Sequence, residues 1–231
     1  MNPHPVTLRH QRFGAFTLIE LLTVIAIIGV LAAMLLTVLG GFTRYKYISA
    51  AKAELNQMET AIDNFHATYG AYPPSGNNVL LTPLYYELLG TAPVTNSTGG
   101  IIAFTNLDGS GYLSTAAVSS VFGAGGFVNC TKPSAAEDLV PAKNFLPNLK
   151  VNQVGTVTVN GYTVSNLVAS VGGPDQNYTP LGSGFPGVNP IRYNSANPTN
   201  NPNTYDLWID LSIQQKTNRV CNWSQQVLIV H

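Results

Sequence analysis

The chain has 231 residues, 11 of them basic and 11 acidic, with a formal net charge of +0 at pH 7. Only 10% of its residues are charged, against roughly one quarter in an ordinary soluble domain. The balance leaves no field that would recruit nucleic acid. A surface rich in Gly, Pro and Asn instead of charges points to an extracytoplasmic, β-rich domain.

Taken in chain order, Arg9, His10 and Arg12 precede an apolar run from Phe16 to Phe42 in which Glu20 is the one ionisable residue. From Leu21 to Leu39 no charge interrupts it, about the twenty residues with which a helix spans a bilayer core. Basic residues ahead of the run keep residues 1–15 cytoplasmic and export everything after Gly41. The apolar core exceeds the roughly 7–15 residues of a cleaved secretory signal, and no small-residue cleavage site follows Leu39, so the segment is expected to be retained. Two plain readings fit so far. One is a simple signal anchor on an extracytoplasmic binding domain. The other concerns Thr17 and Glu20 alone, which form the Ser/Thr-x-x-Glu box that caps helix starts.

The full string RFGAFTLIELLTVIAIIGVLAAMLL (Arg12–Leu36) resembles the N-terminus of type IV prepilins and type II secretion pseudopilins. The resemblance implies cleavage by a prepilin peptidase between Ala15 and Phe16, with methylation of the new amino group on Phe16. Glu20 would then be the fifth mature residue and the assembly residue, pairing with the methylated amine of a neighbouring subunit. The family usually has Gly directly before the cut, whereas here Ala15 holds that place and Gly14 stands one step earlier. Cutting after Gly14 would make Glu20 the sixth residue, so the Phe16 register is preferred. The implied partners are other copies of the chain, minor pseudopilins, the peptidase, and an inner-membrane assembly platform with its ATPase. The implied location is the bacterial inner membrane, crossed once, with the C-terminal domain extracytoplasmic and part of a periplasmic or surface filament after assembly.

Past the apolar run, Ile48, Ala51, Leu55, Met58, Ile62, Phe65 and Tyr69 recur at steps of three and four, one stripe of an amphipathic helix. Lys46, Lys52, Glu54, Glu59 and Asp63 take the other faces, and Gly70 with Pro73-Pro74 supplies the stop. The expected organisation is a leader at 1–15, a transmembrane or filament-core helix at 16–42, its amphipathic continuation at 43–72, and a globular β-rich domain at 73–231. Gly29 and Gly40-Gly41 are weak points in the helix, each costing about 1 kcal/mol relative to Ala.

In the globular part, GTVTVNGYTVS alternates around Asn160-Gly161, a strong hairpin signal. Ile101–Thr105 and Val121–Val128 are weaker strand candidates, and the proline-rich stretch 172–204 reads as an irregular connection. Tyr205–Leu211 and Gln225–Val230 are expected to pair antiparallel. The predicted class is α+β and pilin-like, a long N-terminal helix packed on a small C-terminal antiparallel sheet with long loops. Residues 77–150 carry no motif.

YGAYPPSG (Tyr69–Gly76) and IRYNSANPTNNPNTYDLWI (Ile191–Ile209) resemble the major pseudopilin branch in particular. In that branch a Gly-Asp-rich loop after the Trp helps bind calcium, but here the chain reads IDLSIQQKTNRVCNW. Calcium would fall on Asp206 and Asp210, which share one strand face and make a poor cage. No cofactor is therefore expected. Cys130 and Cys221 are expected to form a disulfide in an exported domain, with two buried thiols as the alternative.

An enzyme is not expected. His4, His10, His66 and His231 lack metal-ligand spacing, no Ser or Cys nucleophile motif occurs, and the Gly-rich Phe122–Phe127 lacks a P-loop Lys. Tyr85, Tyr86, Tyr112, Tyr178 and Trp208 could form an adhesive surface, although packing explains such aromatics more simply. The reading that results is a structural subunit of a type II secretion pseudopilus or related filament. A type IV pilin or minor tip pilin with an adhesive role, and a signal-anchored binding domain, are the alternatives.

Overall fold

The computed structural model describes residues 17–132, 141–173 and 189–230, with the side chains of 35–43 excepted. The expectations for Gly14, Ala15, Phe16 and Tyr178 therefore lie outside the described residues. The chain divides into two compact units, Met1–Arg44 and Tyr45–His231. Helix α1 (Leu18–Tyr69) contributes to both.

In the first unit, α1 has no Pro to interrupt its ladder, and every described side chain from Thr17 to Met34 is exposed. Leu21, Leu22, Ile25, Ile28 and Leu31 are among these exposed apolar groups. A helix that is apolar on all sides has no stripe to lay against a core. Among the described residues no helix is long and apolar enough to cross a membrane. The described side chains of the apolar run stop at Met34, short of the expected span at 21–39.

In the second unit, α1 behaves as the stripe predicts. Ala51, Leu55, Met58, Ile62 and Phe65 are buried, with Ile48 and Tyr69 packed at the margin. Burying each large member contributes about 1.5–3 kcal/mol. The helix stops where Gly70 takes φ +75 and donates its N–H to the His66 carbonyl at 2.8 Å. A left-handed residue at that place costs Gly nothing sterically.

Three antiparallel sheets complete the described part of this unit. The first joins β1 (Thr91–Thr95), β2 (Ile101–Asn106) and β3 (Leu113–Ser114) in that order. The second joins β4 (Val154–Val159), β5 (Tyr162–Ala169) and β6 (Asn189–Pro190). The third has the order β10-β9-β8-β7, from β7 (Arg192–Asn194), β8 (Asp206–Ile213), β9 (Lys216–Cys221) and β10 (Ser224–Val230). Two short helices flank the first sheet in sequence, α2 (Leu84–Leu89) before β1 and α3 (Thr115–Phe122) after β3. The arrangement is α+β.

The Asn160-Gly161 hairpin is present, both residues at positive φ (52° and 79°) as a two-residue primed turn requires. The strand expected at Ile101–Thr105 is β2. Three expectations are corrected. Val121–Val128 is no strand: Ser114 caps α3 by accepting the Ala117 N–H at 3.1 Å, the helix takes in Val121 and Phe122, and Gly123 at φ +68 ends it. The expected pairing of Tyr205–Leu211 with Gln225–Val230 is replaced by β9, which lies between them and bonds to both. Lys-Thr-Asn-Arg-Val-Cys reads as polar, and its turn is made by Gln214 and Gln215 at positive φ, without the usual Asn-Gly. Finally, 172–204 is not wholly irregular, because β6 and β7 fall inside it, and the single small sheet becomes three.

Candidate functional site

The N-terminal site is built on the first turn of α1. Four backbone N–H groups of a helix start have no partner within the helix. Here Glu20 N–H donates to Thr17 Oγ1 at 3.3 Å, while Thr17 N–H and Thr17 Oγ1 donate to Glu20 Oε2 at 2.9 and 2.7 Å. This is the reciprocal capping box, complete in both directions. It is fully exposed, and the side chains that follow it are apolar on every face. Glu20 Oε2 carries both local bonds, and Oε1 accepts none among the described residues. The carboxylate is thus held at the helix start, where the macrodipole favours an anion, with one oxygen still able to accept a cation.

The other predicted residues sit in the second unit. Cys130 and Cys221 are both free thiols, so the expected disulfide is not formed. Cys130 lies in an isolated bridge with Thr91 and Cys221 ends β9 in the third sheet, two elements that share no strand pairing. Burial pushes both thiols up, which keeps them from ionising.

Asp206 is buried and occupied. Its Oδ2 accepts the N–H groups of Thr199 and Asn200 at 2.8 and 3.0 Å, and its Oδ1 accepts that of Asn201 at 2.8 Å. Burial opposes its charge, yet these amides hold the carboxyl below its ordinary range. Asp210 makes a bidentate pair with Arg219, at 2.8 and 3.0 Å, with Arg192 Nε 3.5 Å away. Both carboxylates are therefore spent on protein donors instead of facing a common cation. Among the described residues no group of three or more His, Cys, Asp or Glu is placed to hold a metal ion.

The proposed aromatic surface is mostly core. Tyr85 and Tyr86 are buried against each other at 5.0 Å, Trp208 is half-buried, and Tyr112 alone of the described set is well exposed.

Two groups were not anticipated from sequence. Glu87 on α2 is fully buried, and its two oxygens each accept a backbone N–H, from Val128 and Asn129, at 2.9 Å. Asn129 accepts from Tyr69 Oη at 2.7 Å and from Lys143 N–H at 2.9 Å, and its carbonyl accepts the Thr91 N–H. This hub ties α1, α2, β1 and the 141–145 segment together. Burial outweighs the two amides and pushes the Glu87 carboxyl up to about 7. The second group is Glu59 on α1, half-buried and without a hydrogen bond among the described residues; burial, then Asp63, pushes its carboxyl up. An acidic residue inside LYYELL, or four places before another on a helix, was the available signal for each.

Comparison with known proteins places one feature on this chain. A prokaryotic N-terminal methylation motif matches residues 11–36, a span that contains Thr17, Glu20 and the exposed apolar run. No curated protein and no solved structure matches the chain. The capped, apolar start of α1 is therefore the part of the molecule with a known relation, and it marks the chain as carrying the type IV pilin-like N-terminal methylation signal.

Proposed function

We propose that the protein is a structural subunit of a type II secretion pseudopilus or a related type IV pilus-like filament. In this reading a prepilin peptidase cuts between Ala15 and Phe16 and methylates Phe16, and the N-terminal part of α1 anchors the subunit in the bacterial inner membrane before assembly. The observation that carries it is a helix start whose described side chains are nearly all apolar and exposed all round, with Glu20 its one charged group, inside the matched motif. Such a face is costly in water and favourable in lipid or among packed helices. A carboxylate within that setting requires a cationic partner. The new Phe16 amine of a neighbouring copy is a cation of the right kind, and Glu20 Oε1 is the oxygen that can receive it. A mispositioned copy would leave two charges unpaired, so the pair would set axial register. The Tyr69–Gly76 and Ile191–Ile209 segments are what favour the pseudopilin branch within this class. The platform, ATPase and minor subunits follow as partners of the same reading, and no catalysis is assigned to the chain.

Glu20→Ala and Glu20→Gln, produced in the native host, test it. The reading expects normal cleavage with loss of filaments from both variants. Cleaved Glu20→Ala subunits that polymerise at parental levels would defeat it.

A second reading has an observation of its own. The completed Thr17–Glu20 capping box is all that a simple signal anchor needs from Glu20. Thr17→Ala separates the two readings. If Glu20 only caps, Thr17→Ala and Glu20→Ala behave alike; if Glu20 pairs between subunits, Thr17→Ala still assembles.

A further inference from the structure

We propose that the cleft of about 510 Å³ between the Tyr45–Tyr69 part of α1 and the β9–β10 turn is a binding site for a neutral saccharide. It lies wholly in the second unit and does not rest on the filament reading. Its volume is in the range of small-ligand sites, roughly 300–1,000 Å³. Lys52, Asn56 and Glu59 line one wall at helical steps of four and three. Trp223 and Gln225 of the turn line the other.

Asn222 and Ser224 of the lining are spent on the protein, but three other polar side chains are not. Glu59 accepts no hydrogen bond among the described residues although it is half-buried, and the side-chain amides of Asn56 and Gln225 make none either. Lys52 spends one donor on the Gln225 carbonyl at 2.9 Å, which leaves two of its three. A half-buried carboxylate with no donor is costly unless a ligand or water completes it.

The aromatic wall is held in place. Trp223 packs edge-on against Trp208 with ring centroids 5.7 Å apart. The Arg219 guanidinium lies 5.4 Å from the Trp208 ring centre and is itself pinned by the two oxygens of Asp210. An indole fixed through such a stack gives a ligand a surface whose ordering cost is already met.

These parts select one chemistry. A pyranose ring has an apolar C–H face that lies on an indole, and hydroxyls that both donate and accept. Glu59 accepts, Lys52 donates, and the two amides do both. Glu59 and Lys52 cancel in charge, so the cleft has no net attraction for an ion, and the ligand it fits is uncharged.

The test uses the full chain in a polyoxyethylene detergent, whose headgroup carries no sugar. Lactose, maltose, cellobiose and chitobiose are titrated while tryptophan emission is followed. At least one should give a saturable change that persists when salt is raised several-fold. Glu59→Gln, which keeps the shape of the side chain, should weaken it roughly tenfold, as loss of a hydrogen bond to a charged group does. Trp223→Ala, read by titration calorimetry because it takes away the reporter, should remove binding, and Trp223→Leu serves if the alanine variant does not fold. No saturable change with any of the four sugars overturns the proposal. So does binding that Glu59→Gln leaves intact, or binding that salt abolishes, which would identify an ionic ligand. None of these failures touches the N-terminal signal.

Discussion

The two halves of α1 belong to one unbroken helix and do opposite things. Ile25 and Ile28, before Arg44, are exposed, whereas Ile62, after it, is buried completely. The difference lies in the polar residues, nearly absent before Met34 and frequent after Tyr45. After Tyr45 the apolar residues keep to one stripe, and Lys52, Glu54 and Asp63 occupy the rest, so a core can form on one side. Before Met34 the helix has no polar face apart from Glu20 and Thr23, so it has no side to turn to water. One helix thus carries part of a folded core at one end and an apolar surface exposed on every side at the other.

Truncation should expose this difference at once. Phe65→Ala removes a fully buried ring that packs on Tyr69 and Phe145, and should cost about 3–5 kcal/mol of unfolding free energy. Ile28→Ala should leave the same denaturant midpoint unchanged. Equal losses from the two variants would mean that the N-terminal half is part of the folded core.

Asp206→Ala should come next. It strands the Thr199, Asn200 and Asn201 amides, and unsatisfied donors cost about 1–3 kcal/mol for each one kept from water. Adding calcium should restore nothing, because the carboxylate serves those amides.

Glu87 sharpens the comparison through pH. Its folded pKa, about 7, is above the 4.5 of the free group. The folded state then binds the proton more tightly, so the stabilising contribution is full below pH 4.5 and is lost as pH rises through 7. The swing is about 3 kcal/mol at 1.36 kcal/mol per unit. Glu87→Gln should flatten that slope, as measured by unfolding midpoints across the same range. No change of slope would show that burial does not govern Glu87.

The smallest effect belongs to the cap. Thr17→Ala should cost the first turn of α1 about 1 kcal/mol, visible as faster amide exchange at Glu20 and Leu21, with no shift in the midpoint of the second unit.

What could be read beforehand follows from the range of each signal. The Ile48–Tyr69 stripe and the Asn160-Gly161 turn are local patterns, three or four residues and two residues wide, and both are present. The methylation signal is likewise a contiguous string. Sheet order is not local. β9 separates β8 from β10 because Gln214 and Gln215 accept left-handed backbone, which nothing in their identity announces. Val121 and Phe122 read as strand by apolar character alone, whereas the cap at Ser114, several residues upstream, starts a helix that takes them in. The free cysteines make the same point, since an exported chain suggests a bridge but only the placement of Cys130 and Cys221 decides it. Glu87 and Glu59 matter through neighbours that are distant in sequence, Asn129 for the first and Trp223 for the second.

The most direct measurement is the intact mass and N-terminal sequence of the protein recovered from membranes of its native host. The account predicts a chain that begins at methylated Phe16, placing Glu20 fifth. A chain that still begins at Met1 would contradict it, and the exposed apolar half of α1 would then be a signal anchor and nothing more.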